Sequence, residues 1–451
     1  MDDNRSRAQR LGSEPIIRLL IKFSIPAMVG MIVNALYNIV DRIFIGRGVD
    51  SVAIGGIFVG MPLMLILMAF AMLVGIGGNT LVSIRLGEDK KEEADKIANN
   101  SLLLLFGIGI VLSITGHIFL KPILVLFGAS ESNIGYAMDY LRIILIGAPF
   151  QAVGFGMNNF IRGEGNPKIA MFTMLIGAIL NIILDPIFIF VFNMGVQGAA
   201  LATIISQFVS AMWVLRYFLS GKSILTIGIK YMKLEFNIVK KIITNGFAPF
   251  SMQIAASMVT ALYNNNLQTY GGDLAVSTMG VINSVSMMIL MPIFGLNQGA
   301  QPIMGFNYGA RNYDRVKKAL IYSIIAATTI TSFGFIIVQF FPDLIVKLFV
   351  GETENAPKMM EIAIPAMKRV LMMLPILGFQ IISTSYFQAT GRPKQAMLLS
   401  LSRQVLFLIP LILILPPIFG LIGVWSAGPT ADLLSSLVTA VLIIGSIKHL
   451  K

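Results

Sequence analysis

Long apolar runs alternate with short polar loops along the whole chain. Taken at about 20 residues a span, they predict twelve helices. In the first half these fall at roughly 15–46, 51–84, 95–120, 134–160, 167–192 and 195–219, and in the second at 238–267, 274–306, 315–342, 358–388, 393–418 and 421–447. Several exceed 25 residues, which implies tilt, kinks or ends outside the lipid. The halves repeat. Ala-Leu-Tyr-Asn at 35–38 returns at 261–264, Gly-Asn-Pro-Lys at 165–168 returns as Gly-Arg-Pro-Lys at 391–394, and Pro149 matches Pro375. These copies lie 226 residues apart, and Gly-Ala-Ser-Glu-Ser-Asn from Gly128 returns 223 residues on as Gly-Glu-Thr-Glu-Asn from Gly351, with six helices between the copies. Six is even, so both copies have the same orientation in the membrane. The expectation is an all-α membrane protein, with twelve transmembrane helices in two pseudo-symmetric six-helix lobes. Its parts are a tail 1–14, a lobe 15–219, a linker 220–237, a lobe 238–447 and a tail 448–451.

Composition agrees. Of 451 residues, 56% are hydrophobic and 12% charged, against roughly 25% charged in soluble domains. The polar start, followed by a full-length apolar run, is not expected to be a cleaved signal. No Cys is present, which excludes disulfides and thiolate chemistry, and His117 and His449 are too few for a His-rich metal site. A net charge of +12 would suggest nucleic acid in a soluble protein; here basic loops account for it, and no nucleic-acid partner is expected. Arg5, Arg7, Arg10, Lys90, Lys91, Lys96, Arg162, Lys168, the five Lys between 222 and 241, Arg311, Arg315, Lys317, Lys318, Arg392 and Lys394 all fall on one side. Arg47, Lys121 and Lys347 fall on the other. Both termini are therefore expected in the cytoplasm.

Gly177 to Phe188, GAILNIILDPIF, places an acid inside a span. Asn181 and Asp185 are four residues apart and share a helix face. An ionised Asp at the centre of a lipid-facing helix costs roughly 3 kcal/mol, so Asp185 is expected to face the protein interior. Pro186 has no N–H, which frees the carbonyl of Ile182. The result is an oxygen-rich cup suited to a proton or a hard cation such as Na⁺. Asn181 alone also fits interhelical hydrogen bonding. Pro26 is expected to bend the first helix. Arg403 and Asp432 are candidates for an ion pair between the last two helices. Met287, Met288 and Met291 are the best candidates for an adaptable apolar cavity face. The stretch Gly271 to Gly280 reads as a loop, no Walker motif is visible, and no enzymatic constellation is found.

Together these features resemble the MATE family of multidrug and toxin extruders, most closely its MepA-like bacterial branch, over essentially the whole chain. The resemblance implies a cation-coupling site formed by Asp41, Asn181, Asp185 and Thr203, with Na⁺ as a possible ligand. It also implies a cavity lined by Asn34, Tyr37 and Asn158 or Asn159. Asp41 is followed by Arg42 and also reads as a helix-end charge, and Thr203 as a back-bonding residue. At 1.5 Å per residue, Asp41, Asp185 and Thr203 all fall roughly 8–12 Å below the outer surface. The chain departs from NorM-type members, because no acid occurs from Ile238 to Leu267 or from Ile362 to Thr390. The implied function is an efflux antiporter of the bacterial cytoplasmic (inner) membrane. It would be monomeric, without a cofactor beyond H⁺ or Na⁺ as coupling ion, and would export amphipathic organic cations. The alternative is a lipid-linked oligosaccharide or cell-wall precursor flippase of the same superfamily.

Overall fold

The structure is a computed structural model that describes residues 9–48, 51–127, 129, 131, 134–350 and 356–449; between 34 and 56, side chains are described only for Leu36 and Phe44. Among the described residues all regular structure is helical. The first half contains α1 (Ile16–Gly48), α2 (Ser51–Gly87), α3 (Lys91–Leu126), α4 (Ile134–Gly163), α5 (Pro167–Pro186, extended by a π-helical turn Ile187–Val191) and α6 (Gly195–Leu219). The run Phe236–Gly309 is broken only at Gly272, whose φ of 64° and ψ of −164° are non-helical. It therefore counts as α7 (236–271) and α8 (273–309). Only Gly272 interrupts helix there, so the loop expected from Gly271 to Gly280 shrinks to a single corner that a side chain would strain. Next come α9 (Tyr313–Phe340), a short helix Pro342–Val350, and α10, which is Ala356–Val370 and Leu374–Ala389 joined at a 46° bend. The chain ends with α11 (Pro393–Leu401, a π-helical stretch Ser402–Leu408, then Ile409–Phe419) and α12 (Leu421–His449). Ten of these helices are individually long and apolar enough to cross a membrane, and the bent α10 makes eleven. The remaining helix, α7, is diluted by Asn245, Gln253 and Asn264 to Asn266. The protein is a multi-pass membrane protein.

The repeat is visible in the backbone of the turns. Gly165 (φ 95°) and Gly391 (φ 66°) each precede a residue of nearly equal conformation, Asn166 (−119°, 64°) and Arg392 (−108°, 69°). Each then opens a helix with a proline at its first turn, where a missing N–H costs nothing. Asp89 (φ 59°) and Arg311 (φ 57°) form a second such pair before α3 and α9.

Among the described residues, the apolar core shared by the two halves lies at the end called basal here: the end with the start of α1, the α2–α3 turn and the α8–α9 turn. It takes Leu11, Phe23 and Phe160 from the first half and Ile242, Ile303, Phe306 and Tyr386 from the second. Two further cores stay within the first and the second half, respectively. Glycines let backbones touch across the basal joint. A Cβ on Gly246 would lie 1.7 Å from the Leu73 carbonyl oxygen, and one on Gly309 would lie 2.0 Å from that of Ile84. The segment before α1 is stitched to the second half. Asn307 Nδ2 donates to the Leu11 carbonyl (2.8 Å), and Arg315 Nη2 donates to the carbonyls of Leu11 (3.1 Å) and Glu14 (2.6 Å).

Candidate coupling site in the first lobe

α5 packs along α1 and α6, and this turns its polar face inward. Asn181, Asp185 and Thr203 of α6 are all buried, Asp185 completely. Asn181 Nδ2 donates to Asp185 Oδ1 (3.2 Å) and to Thr203 Oγ1 (3.4 Å), and Thr203 Oγ1 donates to the Ala199 carbonyl (3.0 Å). Asn181 Oδ1 is buried and accepts no hydrogen bond among the described residues. A buried acceptor without a donor suits a water or a cation. Beyond Pro186 the ladder widens, and Phe192 N reaches the Ile187 carbonyl at 2.9 Å. Such π turns recur at functional sites.

The side chains of Asp41, Asn34 and Tyr37 lie outside the described residues, although the α1 backbone passes through all three positions. Their flanks are described. α1 and α5 run parallel from the basal end. Gly30 abuts Met174, where a Cβ would come within 2.8 Å of the sulfur, and Phe44 meets Phe190 edge-on with centroids 6.1 Å apart. Residue 41 lies as far beyond Gly30 as Asp185 lies beyond Met174. An equal rise of about 1.5 Å per residue therefore brings the two backbones to one level.

Asn158 and Asn159 are not in this cluster. They lie near the basal end of α4, roughly 20 Å from Asp185 along the helix axes. There Asn159 Oδ1 accepts from Arg162 Nη2 (2.6 Å). On α8, Met291 is buried while Met287 and Met288 are exposed. Met288 borders an apolar groove with Ile289, Gly334 and Ile337.

The MatE family model matches residues 26–187 and again 249–414, one match in each half. The chain belongs to the MatE family. It is 30% identical over 413 residues to the multidrug export protein MepA of Staphylococcus aureus, covering 91% of this chain and 90% of that one. It is 41% identical to the MATE multidrug transporter DinF-BH, a solved structure, with 97% of each chain covered and a TM-score of 0.90. A multidrug resistance MATE transporter solved in an outward-facing conformation superposes with a TM-score of 0.92 at 27% identity, over 99% of this chain and 98% of that one.

Other candidate residues of this MatE chain have structural settings. Pro26 is buried in α1, against the second half. Ser24 and Met28, on either side of it, face Gly299 and Gly295 of α8. Arg403 Nε pairs with Asp432 Oδ1 at 2.5 Å, as their spacing suggested, and so joins the π-helical stretch of α11 to α12. Glu164 is a residue that sequence reasoning missed. It is a buried carboxylate in the α4–α5 turn that ties the interlobe linker to the first lobe. Tyr217 Oη and Ser223 Oγ (2.6 Å) donate to it, as does the backbone N–H of Ile224 (2.9 Å). Burial pushes its pKa up to about 7 despite these donors. Asp95, Asn99 and Asn100 of α3 hold the rest of the linker by accepting from the backbone of Thr226, Gly228 and Glu235.

Proposed function

We propose that this protein is a multidrug efflux antiporter. It exports amphipathic organic cations across the bacterial cytoplasmic membrane in exchange for inward H⁺ or Na⁺, acting as a monomer with both termini in the cytoplasm. The observation that carries this reading is the buried Asn181–Asp185–Thr203 cluster, inside apolar helices and level with residue 41 of α1. The multidrug names of its relatives point the same way. In this reading the basal joint closes the cytoplasmic side, and the cluster faces a path from outside.

Two carboxylates at one level in a low dielectric repel each other, so taking up H⁺ or Na⁺ there is favourable. Neutralisation removes the anionic character that attracts a cationic drug, and drug and ion exclude one another. Pro26 leaves the Lys22 carbonyl without its donor and weakens α1 four turns below residue 41. Ion occupancy above can then bend α1, releasing its grip on α8 at the joint. An acidic cluster does not suit a pyrophosphate-bearing lipid, which argues against the flippase alternative. Ethidium efflux from cells expressing the protein tests the reading. Asp185→Asn keeps size and fold but removes the titratable group, and should abolish efflux. Unchanged efflux by a well-expressed variant would overturn the assignment.

A further inference from the structure

Between α1 and α5, at the basal end, lies a cavity of about 200 Å³. Leu19 and Phe23 give it an apolar wall, and three cations from three segments converge on it: Arg10 ahead of α1, Lys22 on α1 and Lys168 in the first turn of α5. Among the described residues Lys22 Nζ pairs with Glu14 Oε1 at 3.4 Å, and Glu164, next to Gly165, is engaged by Tyr217, Ser223 and the linker backbone. Among the described residues no ion pair engages Arg10 or Lys168. Asn166, at the α5 N-cap and in the cavity lining, makes no side-chain cap on the first turn, and its Nδ2 donates to Tyr217 Oη (3.2 Å). The helix end therefore adds partial positive charge. Like charges around a void repel unless an anion neutralises them. Toward the membrane interior from the cavity, Ile25, Val29 and Ile32 of α1 and Phe172 of α5 are exposed and follow Lys22 and Lys168 at helical spacing on the same faces, which is the pattern of a lipid-facing surface.

We propose that this cavity binds the phosphodiester headgroup of an anionic phospholipid from the adjoining leaflet. The phosphate lies among Arg10, Lys22 and Lys168, and the acyl chains run along the Ile25–Val29–Ile32 stripe. The lipid source is favoured over a free anion because the cavity adjoins that stripe and has apolar walls. The site bears on α1 where its ladder is interrupted, since Lys22 is the residue whose carbonyl Pro26 leaves without a donor. A bound headgroup fixes the segment below that break to α5, while the part above stays free to bend.

The test uses the purified full-length protein in nanodiscs of phosphatidylcholine, titrated with a fluorescent short-chain phosphatidylglycerol. Each basic side chain near a membrane surface contributes about five-fold in affinity, so Lys22→Gln with Lys168→Gln should weaken binding roughly 30-fold. Lys168→Gln alone, at an exposed position, should cost about five-fold and serves if the double variant does not fold. Lys317→Gln with Lys318→Gln, basic residues of α9 outside the cavity, should leave affinity unchanged. Parent-like binding by the double variant, or an equal loss in the α9 control, overturns the site. Displacement of the probe by inorganic phosphate at matched concentration overturns the lipid as its ligand. Binding is read without transport, so the outcome is independent of the antiport reading.

Discussion

Adding one methyl group at Gly295 tests whether the lobes part at the basal joint. A Cβ there would stand 2.6 Å from both Cα and N of Met28, and one on Gly299 would stand 2.7 Å from N of Ser24. These are backbone atoms of α1, so no rotamer relieves the clash. Ordinary contact begins at about 3.4 Å, so α1 and α8 must separate by roughly 0.8 Å. Overpacking of this kind costs about 1–3 kcal/mol. Alanine also gains about 1 kcal/mol of helix propensity, but it does so in open and closed states alike. The clash exists only while the lobes touch, so Gly295→Ala should shift the closed-to-open ratio roughly five- to 150-fold toward basal opening. Because the chain has no Cys, spin labels can be placed by Lys222→Cys and Lys318→Cys, exposed positions on the first-half linker and on α9. Pulsed electron–electron resonance should show a longer-distance population in the alanine variant. Superimposable distance distributions, with or without a lower melting temperature, would refute rigid-body parting at this joint.

Pro26→Ala should slow transport more than it weakens drug binding, because it restores the α1 ladder; equal transport rates in variant and parent would remove the hinge. Glu164, with its pKa at about 7 when folded against an ordinary 4.5, holds in the folded state a proton that the unfolded chain has released. Stability should therefore fall as pH rises from about 4.5 to 7, by up to about 3 kcal/mol. Melting temperatures of Glu164→Gln should lack this slope; a slope equal to the parent's would rule out Glu164 as its source. Asp432→Asn leaves the partly open Arg403 unpaired and should cost about 2 kcal/mol, below the roughly 3–5 seen for fully buried pairs. A thermal-shift assay should show the loss while ion coupling persists; loss of coupling at unchanged stability would assign the pair a transport role.

Much of the fold was legible because spans declare themselves by length and apolarity, and the repeat by recurrent Gly-X-Pro-Lys turns. Boundaries such as 195–219 needed no correction, whereas α10 is bent at 371–373, just before Pro375, which leaves the Leu371 carbonyl without its i+4 donor; its repeat counterpart Pro149 sits inside an unbroken helix, so the proline alone did not mark the bend. The polar cup was legible because an acid inside a span needs an interior partner, and Asn181 and Thr203 provide one. Asn158 and Asn159 came from family resemblance, without their depth on α4, which sets them roughly 20 Å from Asp185 along the helix axes. The Gly295–Gly299 face had a readable signal, two glycines four apart in an apolar helix, but only the structure gives its partner across the lobes. Glu164 had none: an acid between two glycines reads as a solvated loop, and its burial depends on a linker folding back more than fifty residues later.

The central claim is that one site, built on Asp185, Asn181, Thr203 and Asp41, carries the coupling ion. Its oxygen ligands suit Na⁺, and the same carboxylates take up H⁺, so the two ions should compete. The most direct measurement is ²²Na⁺ binding to the purified protein across roughly pH 5.5 to 8.5, a range chosen to span a raised carboxyl pKa. Apparent Na⁺ affinity should tighten as pH rises, should weaken in Asp41→Asn and Asp185→Asn, and should be unaffected by Asp432→Asn. Na⁺ binding that survives loss of both Asp41 and Asp185 would contradict the account and place the ion in the other lobe.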